Sequence, residues 1–263
     1  MRSQPTISIM ENKKSGSASF SETVFFCLGI IFIGILIQLL GKAKGDSLVF
    51  PSVLEILRSF FSLLKSSETY RLILTTLVHL FIALFFSSLI GIAIGMAEGF
   101  SKHFRKFLKP LMTMLRSIPI IVLVVIVMVL TKYNRVPYLV SSLILVPLIS
   151  EATAEGCKRI DKELIDVYRL NSNFNLRVLF SVYIPLMAGY LKQAYINAVG
   201  MGIKIIITTE YLVQSRNSLG KAVFSSSYFN DYAEIYAYAL IMILLVILLT
   251  EIPLLIMKKN LKK

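Results

Sequence analysis

The chain alternates long apolar blocks with short segments in which charge, proline, serine and asparagine collect. A helix crosses the hydrocarbon core of a bilayer with about 20 predominantly apolar residues. On that scale six blocks read as spans: 23–40, 72–97, the run that ends at 130, 136–154, 186–213 and 235–257. The stretch 45–71 has a different pattern. Apolar residues from Val53 to Leu64 recur at helical spacing with Glu55, Arg58 and Ser59 between them, too mixed to span. They predict an amphipathic helix lying in the interface, starting after Pro51 with Ser52 as its cap. The expected class is all-α, a polytopic membrane protein of six helices. Its divisions are a polar cytoplasmic tail over 1–21, a first transmembrane helix over 22–41, an outer interfacial helix within 42–71, a five-helix core over 72–257 and a basic cytoplasmic tail over 258–263.

One polar island interrupts the core, within 155–185. Leu164, Ile165, Val167, Tyr168 and Leu170 fall near helical spacing among charges, and the run Asn171-Ser172-Asn173 carries turn chemistry. A second amphipathic turn follows, and Pro185 restricts Ile184 before the next apolar block. The island therefore predicts two short helices at the membrane surface, the form of a docking element.

Composition agrees with lipid as the solvent: 56% of residues are hydrophobic and 16% charged. The net charge of +13 could suggest nucleic acid, but the basic residues cluster beside apolar blocks, where they meet anionic lipid and set orientation. With both termini inside, the inner segments hold sixteen Lys and Arg and the outer segments nine, most of the nine in the long first outer loop. The two cysteines, Cys27 and Cys157, support neither a disulfide framework nor a metal site. No nucleophile–base pair, zinc spacing or glycine-rich phosphate loop is present. The chain itself is thus expected to hold no catalytic residue, metal or cofactor.

The block 186–213 is the least apolar. Gln193, Asn197 and Lys204 share one helical face, and Glu210 lies further along. Charged and amide groups at membrane depth are costly when they face lipid, so this face predicts a water-filled path or a partner subunit, with Gln193, Asn197, Lys204 and Glu210 as candidate path residues. Gly91 and Gly95, four apart, either let two helices approach closely or are simply tolerated. His79 reads as a hydrogen-bonded residue between helices. Arg116, at the inner end of its block, can snorkel. Residues 214–232 read as an outer loop.

Several of these segments resemble the membrane subunits of binding-protein-dependent ABC importers. Their cytoplasmic loop has the pattern E-A-A, three residues, G, nine residues, I-x-L-P. Counted back from Pro185, it places Ile184 at Leu, Val182 at Ile, Ser172 at Gly, and Asp166, Val167 and Tyr168 at E-A-A. Leu115-Arg116-Ser117-Ile118-Pro119 before an apolar run, and Thr209-Glu210 separated by nine residues from Gly220, are similar to the branch that includes nitrate, sulfonate and taurine importers and some vitamin-precursor importers. The resemblance implies a permease with no catalysis of its own. Its implied partners are cytoplasmic ABC ATPase subunits docked on the island, a second permease copy, an external substrate-binding protein and the lipid bilayer, with no nucleic acid. It implies a multi-pass protein of the inner (plasma) membrane that carries a small anion or a vitamin precursor. From the residues alone, two other readings stand beside it: a transporter driven by an ion gradient through Glu210 or Glu251, and a membrane scaffold protein.

Overall fold

The computed structural model describes residues 50–160 and 182–260, together with Gly29, Phe32 and Leu39. The first transmembrane helix expected over 22–41 otherwise lies outside the described residues, as do Asp166, Val167, Tyr168 and Ser172. Among the described residues the fold is all-α, and four helices are long and apolar enough to cross a membrane.

Helix α1 (Val53–Lys65) starts where its cap dictates. The Ser52 hydroxyl accepts from the Glu55 backbone N–H at 3.3 Å, and the Glu55 carboxylate accepts from the Ser52 N–H at 2.7 Å, a closed capping box. The Ser52 hydrogen bonds hold the Glu55 carboxyl below its ordinary value. A single extended residue, Ser66, separates α1 from α2 (Ser67–Phe100). At 34 residues, α2 is about 50 Å long and outreaches the ~30 Å hydrocarbon core. Leu74, Val78, Phe81, Phe85 and Leu89 are exposed along one side of it, the spacing of a lipid-facing stripe.

The run ending at 130 is not one continuous span. Helix α3 (Lys102–Ser117) and helix α4 (Ile120–Leu130) meet at 104°. Pro119 has no N–H to continue the ladder, and it drives Ile118 into the extended region, at φ −66° and ψ 129°. With 11 residues, α4 covers only about half of a bilayer core. The basic stretch at 101–110 is likewise helix rather than turn, started by Ser101, whose hydroxyl accepts from the Phe104 N–H at 3.2 Å.

A 3₁₀ turn at Tyr133–Arg135 leads into α5 (Val136–Arg159), which sits at the centre: 61% of its most apolar window is buried, against 28% for α2. After residue 181 the chain re-enters through the turn Ile184–Leu186 and continues as α6 (Ala188–Val213), α7 (Leu219–Tyr228) and α8 (Tyr232–Asn260). The expected outer loop over 214–232 thus contains a helix. Ser218 caps it, accepting from the Lys221 N–H at 3.3 Å, and Leu219 is fully buried beneath it with Tyr238 and Ile241.

The tightest seam joins α2 to α5. A Cβ on Gly91 would lie 2.9 Å from Ile149 Cβ; on Gly95, 2.3 Å from the Ser150 carbonyl oxygen; and on Gly99, 2.5 Å from Cys157 Cβ. Of the two readings of Gly91 and Gly95, close approach is the one observed. Because the Gly95 neighbour is backbone, it cannot rotate away. Gly95→Ala should cost about 1–3 kcal/mol by overpacking, while Gly189→Ala, which meets only open space, should be neutral or slightly stabilising. Thermal unfolding in one detergent checks both.

Candidate functional site

Helix α6 has two unlike faces. Leu191, Ala194, Ala198, Gly202, Ile206 and Thr209 are buried against the bundle. Gln193, Asn197, Met201, Lys204 and Thr208 are exposed at intervals of three and four residues, so they form one stripe. Within it the Gln193 amide donates to Asn197 Oδ1 at 3.3 Å, and the Thr208 hydroxyl donates to the Lys204 carbonyl at 2.8 Å. Among the described residues, nothing packs within 4 Å of where a Gly200 Cβ would be. Gln193 and Asn197 also line an open groove of about 590 Å³, whose opposite wall carries Glu151 and Glu155 of α5. The spacing of these two carboxylates, i and i+4, placed them on one face, but their pairing with α6 depends on which turn of α5 faces it.

Glu210 is separate from that stripe. It is fully buried, and its carboxylate gathers three elements. His79 Nδ1 of α2 lies 2.7 Å from Oε1. The Thr76 hydroxyl donates to Oε2 at 2.9 Å, and the Gly220 N–H, in the first turn of α7, donates to the same oxygen at 3.2 Å. The Leu219 N–H donates in turn to Thr76 Oγ1 at 3.1 Å. The amino end of α7 therefore presents otherwise unpaired N–H groups to a carboxylate, the arrangement that helix termini favour. This also accounts for the fixed distance from Glu210 to Gly220: a Cβ on Gly220 would lie 2.4 Å from Glu210 Cβ. Glu210 is closed off from the surface among the described residues, and its partner is His79, between helices as expected.

At the end of the bundle that carries residues 160 and 182, α2, α5 and α6 share a small core. Tyr183 and Met187 are buried there with Met96, Cys157 and Leu191. Cys157 Sγ lies 3.2 Å from Met187 Sδ, Phe100 meets Tyr183 edge to face at 5.3 Å, and Gly156 leaves room for Met187. Val182 and Ile184 are half-buried and Pro185 is exposed. Nearby, Arg116 is anchored rather than snorkelling. Its guanidinium lies 2.6 Å from Glu151 Oε2 and donates to the Pro147 carbonyl at 2.8 Å, tying α3 to α5.

Removing the Glu210 carboxylate leaves buried donors on two other helices, α2 and α7, without an acceptor. Glu210→Ala should therefore destabilise by about 3 kcal/mol or more, and His79→Ala by about 1–3 kcal/mol. Thermal unfolding of the two variants should show that order, with early protease cleavage around α7 in the first.

Residues 87–261 match the family model described as binding-protein-dependent transport system inner membrane component. Among solved structures, the chain is similar to one titled as an inward-facing conformation of the MetNI methionine ABC transporter. The TM-score is 0.59 and the identity 19%, over 68% of this chain and 89% of that one, which is a likeness of fold. Comparison with curated proteins finds no match. With the family match extending from the middle of α2 through α8, the chain belongs to the binding-protein-dependent transport system inner membrane components, the permease subunits of ABC importers.

Proposed function

We propose that the exposed stripe of α6 is one wall of a translocation path that a second copy of the chain completes, and that the 155–185 segment couples this path to separate ATP-hydrolysing subunits. The observation that carries the reading is the stripe itself. Gln193, Asn197 and Lys204 are exposed on a helix whose other side is packed, and polar groups at membrane depth are stable when they face water or a partner rather than lipid. In this reading Asp166, Val167, Tyr168 and Ser172 contact the ATPase, while Val182, Ile184 and Pro185 join that contact to the bundle. Glu210, a candidate path residue by sequence, instead holds α7 in place.

The small core beside residues 160 and 182 supports a mechanical link. Tyr183 and Met187 pack against Met96 and Cys157, so displacement of the docking segment would carry the ends of α2, α5 and α6 with it. ATP drives the shift between inward- and outward-open states only through a difference in affinity for the two. Moving such an equilibrium from 1:99 to 99:1 takes about 5.5 kcal/mol.

An external binding protein delivers the solute. Lys204 favours a small anion such as a sulfonate or nitrate, and Glu155 across the groove from Gln193 leaves a place for an ammonium group, as in a taurine-like solute. A neutral vitamin precursor would use the amides alone. In this reading both termini lie in the cytoplasm, with α1 at the outer surface.

Two measurements test the reading. ATPase subunits encoded with the permease should co-purify with the wild-type chain and be lost when residues 166–172 are replaced by a neutral linker. Recovery of no ATPase with either form would favour gradient-driven transport. Lys204→Gln should lower ATP-dependent uptake of an anionic solute about tenfold, the loss expected for one charge-assisted hydrogen bond, without changing ATPase recovery.

A further inference from the structure

A second cavity, of about 410 Å³, is distinct from the α6 stripe. It is walled by α3, by the end of α2 and by the middle of α5. Arg105, Lys106, Lys109 and Arg116 line it from α3, and Glu98 and Glu151 from the facing helices, so basic groups outnumber acidic ones by four to two. Glu151 is committed to Arg116, whose guanidinium also holds the Pro147 carbonyl. Glu98 is buried at the cavity wall, within the electrostatic reach of Arg105 and Arg116. Among the described residues, Lys106, Lys109 and Arg105 form no ion pair.

Ser150 supplies the independent observation. Buried hydroxyls on the same helix bond to the carbonyl four residues back: Ser141 to Pro137, Ser142 to Tyr138 and Thr153 to Ile149, at 2.7–2.8 Å. Ser150 does not. It is 1% exposed, lines the cavity, and its Oγ has no hydrogen-bond partner among the described residues. A buried hydroxyl left without a partner costs free energy, and Ser150 is one of the residues around this cavity. A ligand that accepts from the lysine and arginine donors, and from this hydroxyl once its side chain turns to the cavity, satisfies both.

We propose that this cavity binds an oxyanion of the phosphate class. Phosphate suits the donor set because arginine forks and ammonium groups bind its oxygens with charge-assisted hydrogen bonds. Two sources share that chemistry. On α3, Phe104, Phe107, Leu111 and Met114 are exposed on the side away from the basic residues, the form of a helix that lies in the membrane interface. That depth is reached both by free phosphate compounds from the aqueous side and by the headgroup of an anionic phospholipid. The bound anion would bridge α2, α3 and α5, and the site does not depend on the α6 stripe being the solute path.

The test uses the full chain in nanodiscs of purely zwitterionic lipid, titrated with inorganic phosphate, and in parallel nanodiscs with phosphatidylglycerol. Saturable binding at low millimolar phosphate, on the order of 1 mM, or a rise in unfolding temperature with phosphatidylglycerol that phosphate cannot reproduce, is expected; the first result identifies a free anion and the second a headgroup. In either case the effect should be abolished in Arg105→Gln/Lys109→Gln, weakened roughly tenfold in Ser150→Ala, and retained in Lys221→Gln at the opposite end. Arg105→Lys, which keeps the charge, should recover part of it and so separates lost binding from misfolding. No saturable response in either nanodisc, or one that persists in the double variant, overturns the proposal.

Discussion

The close approach of α2 to α5 is the constraint on which the rest of the molecule depends. Lipid offers no hydrophobic drive for one apolar helix to leave it for another, so association rests on packing and on internal polar contacts. Gly91, Gly95 and Gly99 bring α2 against the backbone of α5 along three successive turns. This contact buries α5 at the centre and places α6 across both, where Gly202 leaves room for Leu80 and Leu145. Two of the hydroxyls in the seam are satisfied locally, since Thr153 donates to Ile149 and Ser142 to Tyr138. Nothing in that arrangement consumes the far side of α6, which leaves its polar stripe free for a path.

Around this seam two devices fix the ends. At one end a single carboxylate, Glu210, holds α2 through Thr76 and His79 and holds α7 through Gly220. At the other, Arg116 clamps the bent pair α3 and α4 to α5 through Glu151 and Pro147. A permease that changes state has to keep its subunit intact while its faces move, and these buried and half-buried polar anchors serve the first requirement. In the proposed function the polar groups left on the surface of α6 serve the second.

Much of this was legible in the sequence, because hydropathy and helical period survive without tertiary information. The long blocks became α2, α5, α6 and α8, Ser52 became a cap, and Gln193, Asn197 and Lys204 share an exposed face. What could not be read depends on partners distant in the chain. Nothing local distinguishes Glu210, which pairs across 131 residues with His79, from Lys204, which stays exposed six positions earlier. The apolar run before Leu130 gave no period to show how sharply Pro119 would bend it. Helix α7 was hidden because its run of serines has loop composition, although its Ser218 cap and the Gly220 position were both present.

The most direct test of the central claim follows the α6 stripe through the transport cycle. A cysteine at position 197, introduced by Asn197→Cys in a chain whose Cys27 and Cys157 are replaced by alanine, would be labelled with a membrane-impermeant maleimide from each side, with and without ATP bound to the assembled complex. The account predicts that labelling switches from one side of the membrane to the other when ATP is bound, while Ile206→Cys on the packed face stays unlabelled throughout. Equal labelling of position 197 in both states, or none in either, would contradict it.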